Sequence, residues 1–207
     1  MKKIKKIVII GGVLSLFVFV LLLSTIIISF SSPVHKIFLE KNDTRISNDK
    51  QITSFLISGD ENVLPAMTTD EVLHLKDVRR LLLISLLVLL ISFRLSRSAW
   101  NNRLPKRTYR LPTTKPSYIQ RFAMVVGAFF ILIFLGISFI GKNFTQQFIY
   151  FHHIFFPQGN FFFPESSILI MTYPEQFFIF MGLSIFLLST LLFFIIGYLS
   201  LRKIYKQ

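Results

Sequence analysis

Four apolar runs, Ile7–Phe30, Leu81–Phe93, Phe122–Ile140 and Phe177–Leu201, each with Lys or Arg at one end, constrain this chain more than any other feature. A bilayer core is crossed by roughly 20 apolar residues. Inside lipid a backbone must satisfy its own hydrogen bonds, so runs this continuous are helices. Leu81–Phe93 is short for a span, but a helix from Asp70 to about Arg97 would carry it across, with Arg79 and Arg80 turned outward at the interface. The first run follows Lys2, Lys3, Lys5 and Lys6 like a signal peptide. It is too long for one and lacks a small-x-small cleavage site before Ser31-Ser32-Pro33, so it reads as an uncleaved anchor.

Charge orients the spans. The N-terminal segment carries four Lys. The connector 94–121 carries Arg94, Arg97, Arg103, Lys106, Arg107, Arg110, Lys115 and Arg121, and the tail carries Arg202, Lys203 and Lys206. None of these segments holds an acid, so all three are expected on the cytoplasmic side, with both termini inside. All ten acids and all four histidines then fall outside, in 31–80 and 141–176. Carboxylates and imidazoles supply most proton-transfer chemistry, so any reaction is expected on the outer face.

The net charge of +13 with 53% hydrophobic residues and 25 Phe fits this picture. The basic residues sit at membrane ends and among Pro105, Pro112 and Pro116, where they meet lipid headgroups rather than form a face for nucleic acid. The chain has no cysteine, which removes disulfides, thiolate nucleophiles and Cys-ligated metal. The expected fold is an all-α membrane protein, a four-transmembrane-helix bundle with a small extracytoplasmic cap of short β-strands. Its segments are 1–30 (basic segment and first span), 31–69 (cap) and 70–97 (outer helix and second span). There follow 98–121 (cytoplasmic loop), 122–140 (third span), 141–176 (outer loop) and 177–207 (fourth span and tail). Strands are expected at Gln51–Ile57, between turn residues Asn48-Asp49 and Ser58-Gly59-Asp60, and within Phe161–Thr172.

Two outer motifs carry candidate chemistry. Thr68 with Glu71 forms a capping box, so a helix starts there and runs into the second span. On it Glu71, His74 and Asp77 recur every three residues on one face, where carboxylates can orient the imidazole and raise its basicity. A solvated, charged helix turn would show the same spacing. The second motif sets His152 and His153 among Phe151, Phe155, Phe156 and Phe161–Phe163, with the turn Pro157-Gln158-Gly159-Asn160 between. Interfacial aromatic belts account for the Phe but not for the histidines. A loop folded back over the bilayer also needs a cavity around it. His35, beside Pro33 and Lys36, has no partner in sequence and reads as an interfacial side chain.

Together, Glu71-x-x-His74-x-x-Asp77-Val78, Phe151-His152-x-Ile154-Phe155-Phe156 with Gly159-Asn160, Leu169-Ile170, and Tyr173-Pro174-Glu175-x-Phe177-Phe178 resemble the bacterial lipoprotein intramolecular transacylase family. The resemblance spans most of the outer half and the four-span layout. It implies transfer of the sn-2 acyl chain of a diacylglyceryl-cysteine to that cysteine's own α-amino group, giving a lyso-form lipoprotein in the bacterial cytoplasmic membrane. It also implies that His74 and His152 are the functional histidines. Leu75 stands where the family commonly has Met, Phe161 where it has Trp and Ser167 where it has Asp, which bears on substrate preference.

The residues suit that chemistry. The substrate's amine attacks its own ester, so no enzyme nucleophile or cofactor is required, only a base for the amine and a proton for the leaving oxygen. His74 is expected as base, oriented by Asp77 or Glu71, and His152 as proton donor and oxyanion partner, with the roles exchangeable. His153, Asn160, Tyr173 and Glu175 are expected in support, and Phe155, Phe156 and Phe161 against the acyl chains. The partners are a diacylglyceryl-modified lipoprotein and membrane lipids. Two rival readings remain at this level. One is a metal-dependent hydrolase with His74, Asp77, His152 and Glu175 on zinc, though no HExxH spacing supports it. The other is a non-enzymatic lipid-binding or scaffolding envelope protein.

Overall fold

The computed structural model describes residues 2–39, 42–101, 125–126, 128–133 and 144–202, and all regular structure among them is helical. The long helices follow directly from composition. Helix α1 (Lys2–Ser29) and the C-terminal helix Glu175–Arg202 contain no internal proline, and their charges are confined to their ends. Within them Ile10–Ser29 and Glu175–Leu199 are long and apolar enough to cross a bilayer. Between these come α2 (Ser32–Leu39), α3 (Asp43–Ser58), a 3₁₀ turn at Glu61–Val63 and α4 (Thr69–Asn101). Helical backbone recurs at 125–126 and 128–133, followed by α5 (Phe144–Phe155), α6 (Ile168–Thr172) and α7, the C-terminal helix. The basic connector beyond Asn101, the remainder of the third apolar run and the tail beyond Arg202 lie outside the described residues.

The expected β-strands are not there. Gln51–Ile57 lies inside α3, and Phe161–Thr172 is turns and the short α6. The spacing explains the difference, because Ile52, Phe55 and Leu56 recur at i, i+3 and i+4 and pack inward on a helix. Its ends are set by side chains. Asn42 accepts the Arg45 amide at 3.1 Å, and Gly59 ends the helix at φ 79°, its amide bonded to the Phe55 carbonyl. Arg79 is also not simply turned outward. Its guanidinium packs against Gly59, where a Cβ would approach Cζ to 2.8 Å, and Nη2 donates to the Ser58 carbonyl at 3.5 Å. A cation thus meets the negative end of α3.

The chain forms two compact units. One comprises Met1–Ser24, Leu86–Ser138 and Phe186–Gln207. Its core joins Leu16, Phe17 and Val20 of α1 to Val125, Ala128 and Leu132 and to Phe193 of α7. Ser24 and Ser189 are fully enclosed, while Leu14, Leu90, Leu187 and Phe194 are more than half exposed. Small hydroxyl residues inside and large apolar residues outside is the arrangement of helices surrounded by lipid, where close backbone approach replaces a hydrophobic core.

The second unit, Thr25–Ser85 with Phe139–Ile185, holds every histidine. Its core packs Ile52 and Phe55 of α3, Leu75 of α4 and Leu169 of α6, with Leu56, Val63, Leu64, Met67, Phe163 and Tyr173 around them. That cluster fixes the first turns of α4 against α6.

Candidate functional site

His74 is placed by the capping box two turns before the apolar part of α4. The Thr68 amide donates to Glu71 Oε2 at 2.9 Å, and the Glu71 amide donates back to Thr68 Oγ1 at 3.3 Å. The other carboxylate oxygen of Glu71, a residue only 1% exposed, accepts the Leu169 amide at 3.0 Å. Glu71 therefore starts α4 and ties α6 to it, with a hydrogen bond on each carboxylate oxygen. One turn on, Asp77 Oδ2 accepts Gln158 Nε2 at 2.5 Å and Asn160 Nδ2 at 3.0 Å. The hydrogen bonds of the two expected orienters thus run to Thr68, Leu169, Gln158 and Asn160. His74 Nδ1 is buried with no hydrogen-bond partner.

His152 is placed by α5. Its Nδ1 lies 2.7 Å from the Phe148 carbonyl one turn back. A carbonyl only accepts, so Nδ1 carries the proton and Nε2 carries the lone pair. Neighbouring His153 is about 100° further round the helix and exposed, with Phe161 edge-on at 5.2 Å. The helix therefore distinguishes two histidines that are adjacent in sequence.

The buried histidines come together. The rings of His74 and His152 lie 5.9 Å apart at 19°, an offset parallel pair. Phe156 packs on both, at 4.8 Å from His74 and 5.4 Å from His152. Phe163 covers His74 edge-on at 5.5 Å, and Phe161 covers His152 at 5.0 Å. Burial among these rings pushes the His74 pKa down to about 4, helped by His152 and opposed by the charge of Asp77. Burial also lowers His152, against the raising effect of the Phe148 carbonyl, with His153 adding to the lowering. Both imidazoles are therefore neutral at pH 7. Such a pair can take up and return a proton, or donate a hydrogen bond, in a site that excludes water.

The remaining expected residues are dispersed. Phe155 is half exposed and packs tilted against Phe151 at 4.6 Å. Glu175 is exposed and accepts Thr145 Oγ1 at 2.7 Å. No group of three or more His, Asp or Glu arranged to hold a metal occurs among the described residues. Tyr173 belongs to a second cluster that the sequence did not reveal. His35 is buried rather than interfacial, and its Nδ1 meets Asp49 Oδ1 at 2.8 Å. The Tyr173 hydroxyl donates to the same oxygen at 2.8 Å. Burial and then the Asp49 charge raise the Tyr173 pKa well above its ordinary value, so it remains a donor. This cluster ties α2, α3 and the turn before α7. The only sequence signal was an Asp and a His on successive helices.

The model of a protein family described as lipoprotein intramolecular transacylase Lit matches residues 9–178. Among solved structures, the membrane integral lipoprotein intramolecular transacylase Lit from Bacillus cereus superposes with a TM-score of 0.74 at 18% identity, covering 100% of both chains. A variant of that protein with one histidine changed to alanine gives a TM-score of 0.78 at 17% identity, covering 99% of this chain and 96% of that one. No curated protein matches.

Proposed function

The chain belongs to the lipoprotein intramolecular transacylase family and is an acyltransferase of bacterial membranes, and we propose that His74 and His152 carry its reaction, moving the sn-2 acyl chain of a diacylglyceryl-cysteine to that cysteine's α-amine. The observation that supports this reading is the pairing of two sequence-remote, buried imidazoles in an enclosure of Phe side chains.

The neutral amine attacks the sn-2 ester carbonyl. A nitrogen–carbon bond forms, and the carbonyl π electrons move to oxygen. The fixed tautomer suits His152 Nε2 to accept the amine proton. As the carbonyl re-forms and the carbon–oxygen bond to glycerol breaks, His152 returns that proton to the leaving sn-2 oxygen. His74, neutral because it is buried, donates an N–H to the developing oxyanion. The base role thus passes from His74 to His152 and the oxyanion role from His152 to His74, an exchange that the sequence left open, while His152 remains the proton donor. The reaction is an isomerisation that consumes no water and no outside acid. Holding amine and ester together supplies about 7–11 kcal/mol of the barrier reduction.

The same proposal sets the protein in the membrane with four spans, both termini in the cytoplasm and the histidines outside. The Lys and Arg bias supports it, as does the exposed apolar face of α4, where Leu83, Ile84, Leu87, Leu90, Ile91 and Leu95 are each half exposed or more. Exposed Phe151, Ile154, Phe155 and Phe162 would meet the acyl tails and surrounding lipid.

The test uses cells depleted of their own N-acyltransferase, co-expressing a model lipoprotein with this protein, and mass spectrometry of the N-terminal lipopeptide. The wild type should convert the diacylglyceryl form to an isomer of unchanged mass with one chain amide-linked. His74→Ala and His152→Ala should each abolish the conversion in membranes that still hold the protein. Near-normal conversion in either variant would remove that histidine from the mechanism.

A further inference from the structure

The turn after α5 holds a polar atom that the histidine chemistry above does not use. Gly159, at φ 81°, donates its amide to the Phe156 carbonyl at 3.1 Å and swings Asn160 against α4. There Asn160 Nδ2 donates to Asp77 Oδ2 at 3.0 Å. A carboxylate only accepts, so the amide cannot be flipped, since the reverse orientation would face oxygen with oxygen. Asn160 Oδ1 is therefore a fixed acceptor, buried with no protein partner. A buried acceptor left unpaired is costly, so its placement makes sense when a donor is brought to it. Two neighbours of Asn160 link it to the imidazole pair. Asp77 lies one turn beyond His74 and acts on its charge, and the next residue, Phe161, packs on His152.

The reaction brings such a donor. A neutral primary amine has two N–H bonds and one lone pair. One proton must reach His152, and the lone pair must point at the ester carbon, so the second N–H is free to fix the rotation of the nitrogen. We propose that Asn160 Oδ1 accepts this second N–H, a reading that rests on the histidine pair being the reacting site. Asn160 forms and breaks no covalent bond. Its place is on the substrate's amine, and Asp77 with Gln158 positions it.

The experiment uses the purified full chain with a synthetic diacylglyceryl lipopeptide as substrate and its desamino analogue, which has no α-nitrogen, as competitive inhibitor. Asn160→Leu should lower kcat/KM roughly 10- to 100-fold, while the inhibition constant of the desamino analogue stays within about twofold of wild type. Asn160→Ser, whose single shorter hydroxyl cannot both donate to Asp77 and place an acceptor where Oδ1 stands, should behave alike. Equal losses of turnover and of analogue binding would show a merely structural role and overturn the proposal, as would an unchanged kcat/KM. His74→Ala and His152→Ala in the same assay test the underlying site. If they are inactive while both Asn160 variants match wild type, only the Asn160 assignment falls.

Discussion

Burial of His74 should be visible in the pH profile of the reaction. The profile of kcat/KM reports groups on the free protein and free substrate. The substrate's α-amine, with a pKa of about 7.7–8.0, must be neutral, so the logarithm of the rate falls one unit per pH unit below that point. An ordinary imidazole that also had to be neutral would steepen the slope to two below about 6.5. With His74 lowered to about 4 and His152 lowered as well, the second unit of slope should set in below pH 6.5, and His74 should contribute none of it down to about pH 5. At pH 5 an unperturbed imidazole is about 3% neutral, whereas one with a pKa of about 4 is about 90% neutral, a difference of about 30-fold in rate. Initial rates with a diacylglyceryl lipopeptide between pH 5 and 9, followed by chromatography and mass spectrometry, read this directly. Phe163→Ala removes the ring covering His74 edge-on and admits water, so a steeper limb should appear as the pKa climbs back. A wild-type slope of two setting in near pH 6.5 would refute the claim that His74 is held dry and neutral by its aromatic enclosure.

Three further outcomes follow from the geometry. Glu71→Ala removes the carboxylate half of the capping box of α4 and strands the buried Leu169 amide, and thermal unfolding in detergent should show a loss of about 2–4 kcal/mol. Asp49→Ala takes the shared acceptor from His35 and Tyr173, two buried groups, and should cost about 2–4 kcal/mol in the same measurement, with hydrogen exchange accelerated at 168–177. His153→Ala alters an exposed side chain and should leave the transacylation rate within about twofold of wild type.

The legible parts of the sequence were those written in local spacing. Thr68 and Glu71 announce a helix start because a capping box closes within one turn, and the hydrogen bonds form as the spacing implied. The pairing of His74 with His152 came from the joint resemblance of two motifs, since nothing local brings α4 to α5. What failed was register and tertiary partnership. Gln51–Ile57 has β-prone residues, but its apolar side chains keep helical spacing, and Asn42 and Gly59 mark the ends of a helix. His35 had no visible partner because Asp49 lies on the next helix and meets it only once α2 and α3 pack. Glu71 and Asp77 shared a helix face with His74, which suggested that they orient it. Their oxygens also bond Leu169, Gln158 and Asn160, partners that spacing along one helix cannot show because the fold brings them from the far end of the outer half.

The central claim is that the acyl chain moves within one lipoprotein molecule, between neutral imidazoles and without an acyl-enzyme. A crossover experiment tests it most directly. Two diacylglyceryl lipopeptides, one with a light peptide and light acyl chains and one heavy in both, are mixed with the purified protein, and the lyso products are weighed. The account predicts only light-light and heavy-heavy products and no acylated protein. Mixed products, or a mass increase on the protein itself, would contradict it.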